Sequence, residues 1–226
     1  MSTNKNNGII RHCPAAKKFP LFKRMDIGNK HAKFLQYVWG SPERQERLHK
    51  LLSCTSRSLI LTRGMATHVR EALDDSKFTQ YFTHIVDTFG TNFTRAPDGK
   101  WQEAPKIPLR GGREILKDEY IRDYVHGSVI IYVDDSPETA ALPDHVELIR
   151  LQKEALGGIF NEDNKVALER LQTLLANHPD AVVVWDFDCT LTARHLYKSW
   201  FVLTHRRRRG SFPRWAAELD NHHLSN

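Results

Sequence analysis

Ala181-Val182-Val183-Val184-Trp185 runs directly into Asp186-Phe187-Asp188-Cys189-Thr190-Leu191-Thr192, and the reading of this stretch decides the fold. An unbroken β-branched run of strand length suits a strand covered on both faces, not a half-exposed one, which would alternate. His178-Pro179-Asp180 ends a helix just before it. The run stops on two carboxylates spaced i, i+2. Charged groups of this kind mark the place where the chain leaves the core.

Similar runs lie upstream. Ser58-Leu59-Ile60-Leu61-Thr62, His84-Ile85-Val86-Asp87-Thr88 and Val129-Ile130-Ile131-Tyr132-Val133 read as buried strands, and Val146-Glu147-Leu148-Ile149-Arg150 reads as an edge strand. Between them the pattern is helical. Apolar positions over 30–53 include Phe34, Leu35, Val38, Leu48, Leu51 and Leu52, and they predict helices broken at Gly40-Ser41-Pro42. Ser41 serves as N-cap and Pro42 as first-turn residue of the second. Further helices are predicted over 65–75, over Glu114–Val125 with Ile115, Leu116, Tyr120 and Ile121 on one face, and over 162–177. The last carries Val166, Leu168, Leu171, Leu174 and Leu175 as its apolar face. Residues 90–113, rich in Gly, Pro, Asn and Thr, read as a long loop with a small hairpin. Strands alternating with helices predict an α/β fold with a central parallel sheet. No repeat is visible at a 20–50 residue period.

The chain has 226 residues, 40% apolar and 27% charged, in keeping with a single globular domain over 1–226. No run of 18 apolar residues predicts a membrane span, and the polar start, Met1 to Asn7, lacks a secretory apolar region. Cys13, Cys54 and Cys189 form an odd set without metal spacing, which argues against a disulfide scaffold and a zinc site. A cytoplasmic location is expected on these grounds, with the nucleus or export to a host left open. The net charge of +6 is unevenly spread. Residues 1–50 carry +8 and residues 192–226 carry +5, so the middle carries −7. Basic ends of this kind are either solvated, with residues 1–20 flexible, or an electrostatic footprint for an anionic partner.

In open parallel sheets, ligands bind beyond the carboxyl ends of the strands. Three strand ends carry polar residues there: Thr62-Arg63-Gly64, Asp134-Asp135-Ser136-Pro137, and Asp186-Phe187-Asp188-Cys189-Thr190. Taken alone, Asp186 and Asp188 could be a turn or cap pair. Four carboxylates over adjacent strands would repel unless a cation sat among them, and hard oxygen ligands suit Mg²⁺.

These residues resemble the motifs of the haloacid dehalogenase-like hydrolase superfamily, specifically its aspartate-nucleophile phosphatases. The first motif, Asp-x-Asp-x-Thr after an apolar strand, is similar to Asp186-Phe187-Asp188-Cys189-Thr190. The second, a strand ending in Thr or Ser, is similar to Leu59–Thr62. The third, a lysine, is similar to Lys117, and the fourth, an acidic pair, to Asp134-Asp135. The resemblance implies a three-layer α/β/α Rossmann-like fold and a Mg²⁺-dependent phosphomonoester hydrolase. Asp186 would be the nucleophile that forms an aspartyl-phosphate, and Asp188 the general acid and base. Thr62 and Lys117 would hold the phosphoryl group with Arg63 and Thr190 beside them. Asp186, Asp188 (through its carbonyl), Asp134 and Asp135 would make up the metal set.

The chain departs from the family in order, because the first motif comes last. Read in a circle, the family order returns, so a circular permutation is expected, with residues 150–181 bridging the old ends. A second, truncated domain opening at Asp186 is the competing account. Permutation would also merge the basic segments 192–226 and 1–50 into one flap or cap-side region over the site, with the cap small or absent. The resemblance then implies a phosphorylated macromolecule as partner, a phosphoprotein (phosphotyrosine included) first and a nucleic-acid end second. A catalytically silent binding module is the remaining alternative. Cys189 and Trp185 are expected in the core. Trp200, Phe201, Phe212 and Trp215 are read as core or as a stacking surface beside Arg206–Arg209, and His195 and His205 as surface residues.

Overall fold

The computed structural model describes residues 36–153 and 155–196. The expectations placed on 1–35 and 197–226, including the aromatic residues near Arg206 and the flap, lie outside the described residues.

Seven strands form one sheet: β1 (Arg57–Thr62), β2 (His84–Asp87), β3 (Asn92–Arg95), β4 (Trp101–Ala104), β5 (Ile130–Asp134), β6 (Val146–Arg150) and β7 (Val182–Trp185). Their spatial order is β4-β3-β2-β1-β7-β5-β6. β2, β1, β7, β5 and β6 run parallel, and β3 and β4 extend one edge antiparallel. Four main helices accompany them: α1 (Pro42–Ser53), α2 (Ala66–Ser76), α3 (Lys117–Tyr124) and α4 (Lys165–Asn177). The fold is thus α/β with a mostly parallel sheet.

The apolar runs behave as doubly covered strands. Ile60, Ile85, Ile131, Val133, Val183 and Trp185 join Leu48, Leu52, Val69, Leu73, Leu171 and Leu175 in one buried cluster, which places α1, α2 and α4 with that face. The intervening residues Leu59, Leu61, Val86, Ile130, Tyr132, Val182 and Val184 join Tyr120 and Ile121 of α3 in a second. Successive side chains on a strand point to opposite faces, so each run feeds both layers. Each such fully buried aliphatic contributes about 1.5–3 kcal/mol from loss of water contact. Trp185 is wholly buried, as its place in the run predicts, and its indole N–H reaches Ser58 Oγ at 3.3 Å.

Local signals explain several boundaries. Ser41 caps α1, its Oγ accepting from Arg44 N at 3.3 Å, with Pro42 in the first turn. Three expectations need adjustment. The helix read from Glu114 begins at Lys117, because residues 114–116 stay extended, with Ile115 N bonded to Thr88 O at 2.9 Å. Leu116 is consequently exposed rather than on the buried face. Val166 is 78% exposed, since nine residues at 100° each place it opposite Leu175, which faces the core. Within 90–113 the hairpin is real, and it joins the sheet as β3 and β4. No helix among the described residues is long and apolar enough to cross a membrane.

Candidate active site

The site sits where β1, β7 and β5 end. Val133 and Trp185 are register partners, so Asp134 and Asp186 emerge side by side as the two strands finish, and Asp186 N still bonds Val133 O at 2.9 Å. Beyond Asp186 the chain makes one wide turn over Phe187–Leu191, closed by Thr192 N to Phe187 O at 3.1 Å. Asp188 projects from this turn. Its Oδ1 accepts from Leu196 N at 2.7 Å, and its Oδ2 lies 3.2 Å from His195 Nδ1.

Lys117 reaches into the same space from the first turn of α3. Its ammonium donates to Asp134 Oδ2 at 2.7 Å and to Asp186 Oδ1 at 2.5 Å, and all three side chains are buried. Asp134 is held further by the Tyr132 hydroxyl at 2.5 Å and by Ser136 N at 2.6 Å. Thr62 closes β1, buried, with its Oγ1 accepting from Gly64 N at 2.9 Å. Gly64 keeps Thr62 and Asp188 close to one another: a Cβ built there would lie 3.2 Å from Thr62 Oγ1 and 3.7 Å from Asp188 Oδ2. Thr190 is fully buried in the turn, its hydroxyl unpartnered among the described residues. Arg63 is half-exposed and pairs with Glu138, whose other oxygen accepts from Lys117 N at 2.5 Å.

The electrostatics are those of crowded, dry charge. Burial alone would push the Lys117 ammonium down, but Asp186 and Asp134 more than reverse this and hold it above the usual lysine value. Burial pushes the Asp186 carboxyl up. Lys117 opposes the shift, Asp134 and Asp188 add to it, and the balance stays well above the ordinary carboxylate range. Asp188 is also raised, by burial first, against the pull of His195 and the Leu196 amide.

Carboxylate oxygens of Asp134, Asp135 and Asp186 lie within 4.8 Å of one another. Three such groups against the single charge of Lys117 leave a formal −2, which one divalent cation would balance. The donor set is all oxygen, so it fits a hard cation such as Mg²⁺. Asp188 contributes its carboxylate elsewhere, to His195 and Leu196. Not every strand-end carboxylate is of this kind. Asp87, at the end of β2, spends its oxygens on the amides of Ala66, Phe89 and Thr91 at 2.8–3.0 Å and serves as a cap.

The structure therefore brings together Asp134, Asp135, Asp186 and Lys117, sets Thr62 and Asp188 beside them and Arg63 at Glu138, and turns Thr190 toward Gly158 within the buried turn. His195 was expected as a surface residue; it is 30% exposed and faces Asp188. Only its position seven residues past Asp188, beyond a turn, could have signalled this. No protein family, curated protein or solved structure compared with the chain matches it.

Proposed function

We propose that this protein is a phosphomonoester hydrolase of the haloacid dehalogenase-like type, circularly permuted and dependent on Mg²⁺. The observation that carries this reading is Lys117 bridging Asp134 and Asp186 at adjacent strand ends, with Thr62 and Asp188 flanking Gly64 beside them. The strand order supports the permutation, because β7, last of the described strands in sequence, lies in the sheet between β1 and β5. A continuous core made by the last strand and the earlier ones also weighs against a second, truncated domain.

In this reading an Asp186 oxygen attacks phosphorus, forming an acyl phosphate as the bond to the leaving oxygen breaks. Asp188, whose raised affinity for a proton suits the task, gives that proton to the leaving oxygen. Asp188 then takes a proton from water, whose oxygen attacks phosphorus and frees both phosphate and the Asp186 carboxylate. Lys117 and Thr62 hold the phosphoryl oxygens, with Thr190 supporting the turn and Arg63 at the rim. Asp134, Asp135, Asp186 and the carbonyl of Asp188 would hold Mg²⁺. The bound cation would offset repulsion between the anionic nucleophile and the phosphate.

The substrate is a phosphorylated macromolecule, with a phosphoprotein placed before a nucleic-acid end, since the described inserts between the motifs build no separate lid. Hydrolysis of p-nitrophenyl phosphate with Mg²⁺ and with EDTA, beside Asp186→Asn, tests the chemistry. An active Asp186→Asn protein would sink it. Phosphopeptides compared with 3′- and 5′-phosphorylated oligonucleotides then rank the substrates, and an inert but folded protein that still binds them would favour the silent module.

A further inference from the structure

We infer that Arg44 is a positioning residue that sets the Asp188 turn, a role that rests on the phosphatase reading above. Arg44 lies in the first turn of α1, away from every motif, and its side chain is buried. Its bonds to described residues all go to main-chain carbonyls: Nη1 to Trp39 O at 2.6 Å, Nη2 to Leu191 O at 2.8 Å, and Nε to Gly157 O at 2.9 Å. A planar fork whose fixed donors sit on three nitrogens can reach three separate segments at once, whereas the donors of a lysine all leave one nitrogen. Phe160 packs under the guanidinium, 5.5 Å from its ring centre.

Those three segments converge on the far end of the turn that carries Asp188. The near end is anchored in the sheet through Asp186 N and Val133 O. The far end, Leu191 to Ala193, lies in none of the described strands. It is gripped by Arg44, by Gly157 N to Ala193 O at 2.8 Å, and by Ala193 N to Val38 O at 2.7 Å. Gly158, at φ +59°, lets the bridging chain press against the turn so closely that a Cβ would fall 2.4 Å from Thr190 O. Arg44 bonds to the turn, to the bridge and to the segment ahead of α1. Without it, the buried carbonyls of Trp39 and Leu191 lose this donor, and the far end of the span bearing Asp188 loses one of its three holds. Displacement of a catalytic group by about 1 Å can cost on the order of 100-fold in rate.

Asp188 protonates the leaving oxygen, whereas Asp186, Lys117 and Thr62 belong to strand and helix ends that Arg44 does not touch. The defect in Arg44→Met should therefore depend on the leaving group. The test compares kcat/KM for p-nitrophenyl phosphate, which leaves with little help, and phenyl phosphate, which needs the proton. It uses the full chain, with Mg²⁺, as wild type, Arg44→Met and Arg44→Lys. Arg44→Met is expected to lose at least tenfold more on phenyl phosphate than on p-nitrophenyl phosphate, with Arg44→Lys between it and wild type. A folded Arg44→Met with equal losses on both, or none, overturns the role while leaving the phosphatase reading intact. Failure of both variants to fold, read by circular dichroism, overturns it also, making Arg44 a folding residue. A folded wild type that hydrolyses neither ester overturns the phosphatase reading and this role with it.

Discussion

Lys117 Nζ lies 2.5 Å from Asp186 Oδ1 although 69 residues separate them in the chain, and the contact is buried on both sides. Such a group cannot be removed quietly. Lys117→Met keeps the stem but leaves Asp134 and Asp186 facing each other without a counter-charge, which costs about 3–5 kcal/mol. Asp186, freed of the opposing pull of Lys117, would then hold its proton more tightly in the folded state, so the loss should be largest at alkaline pH and shrink on acidification. Urea unfolding of wild type and variant at pH 5 and pH 8 checks this. An equal deficit at both pH values would mean that Lys117 does not oppose the upward shift of Asp186.

The same carboxylates give the wild type a pH signature. Asp186 and Asp188 both titrate above their unfolded value of 3.8. Their contribution is fully present below that value and is lost as pH rises through the folded one, about 7 for Asp186. In EDTA, the stability from Asp186 should thus decline between about pH 4 and pH 7, and that from Asp188 should decline in the same direction above about pH 4. Lys117, raised above its own unfolded value, stays protonated throughout this window and adds no slope.

Added Mg²⁺ should reverse that decline, because a cation binds only the ionised form. At 100 times its dissociation constant it would add about 2.7 kcal/mol. The melting temperature should rise more at pH 8 than at pH 5, and Asp134→Asn should abolish the difference. A shift of the same size at both pH values would point to ion binding elsewhere on the surface.

Cys189 is buried at φ +58°, in the left-handed region, between Asp188 and Thr190. An L-residue there costs roughly 1–2 kcal/mol, while glycine costs about 0.5–1 kcal/mol in unfolded-chain entropy. That entropy and the lost burial of the thiol together offset the relief of strain, so Cys189→Gly should unfold within about 1 kcal/mol of wild type. Cys189→Val adds β-branching to the strained backbone and should lose more than about 2 kcal/mol. Thermal melts of the two variants decide it, and a Val variant as stable as the Gly variant would remove backbone strain from the account of this turn.

What was legible in the sequence follows physical scale. β1, β5 and β7 are apolar runs that end abruptly in polar residues, so the strands, and the meeting of Asp134 and Asp186 at their ends, could be read without coordinates. The hairpin of β3 and β4 was only half visible, because Asn92–Arg95 and Trp101–Ala104 are short, mixed in polarity and at the sheet edge. Arg44 left no signal at all. In a helix as polar as α1, one more arginine looks like a solvated one, and only the arrival of Leu191 and Gly157 from distant parts of the chain shows that it is buried. His195 was hidden for a related reason, since its meeting with Asp188 depends on a turn with no regular period.

The segment packed behind the Asp188 turn gives a last prediction, through two glycines that share a backbone conformation and differ in surroundings. Gly158 and Gly99 both have positive φ, +59° and +83°. A Cβ at Gly99 would meet nothing within 4 Å, whereas one at Gly158 would fall 2.4 Å from Thr190 O and 2.5 Å from Thr192 O. Gly99→Ala therefore suffers only the left-handed penalty of roughly 1–2 kcal/mol. Gly158→Ala adds a collision with main-chain atoms that no side-chain rotation can relieve, worth about 1–3 kcal/mol more. Urea unfolding should accordingly separate the two variants by at least about 1 kcal/mol. Equal destabilisation would mean that residues 155–160 do not press on the Asp188 turn, and that the grip on its far end is looser than the contacts at Leu191 and Ala193 imply.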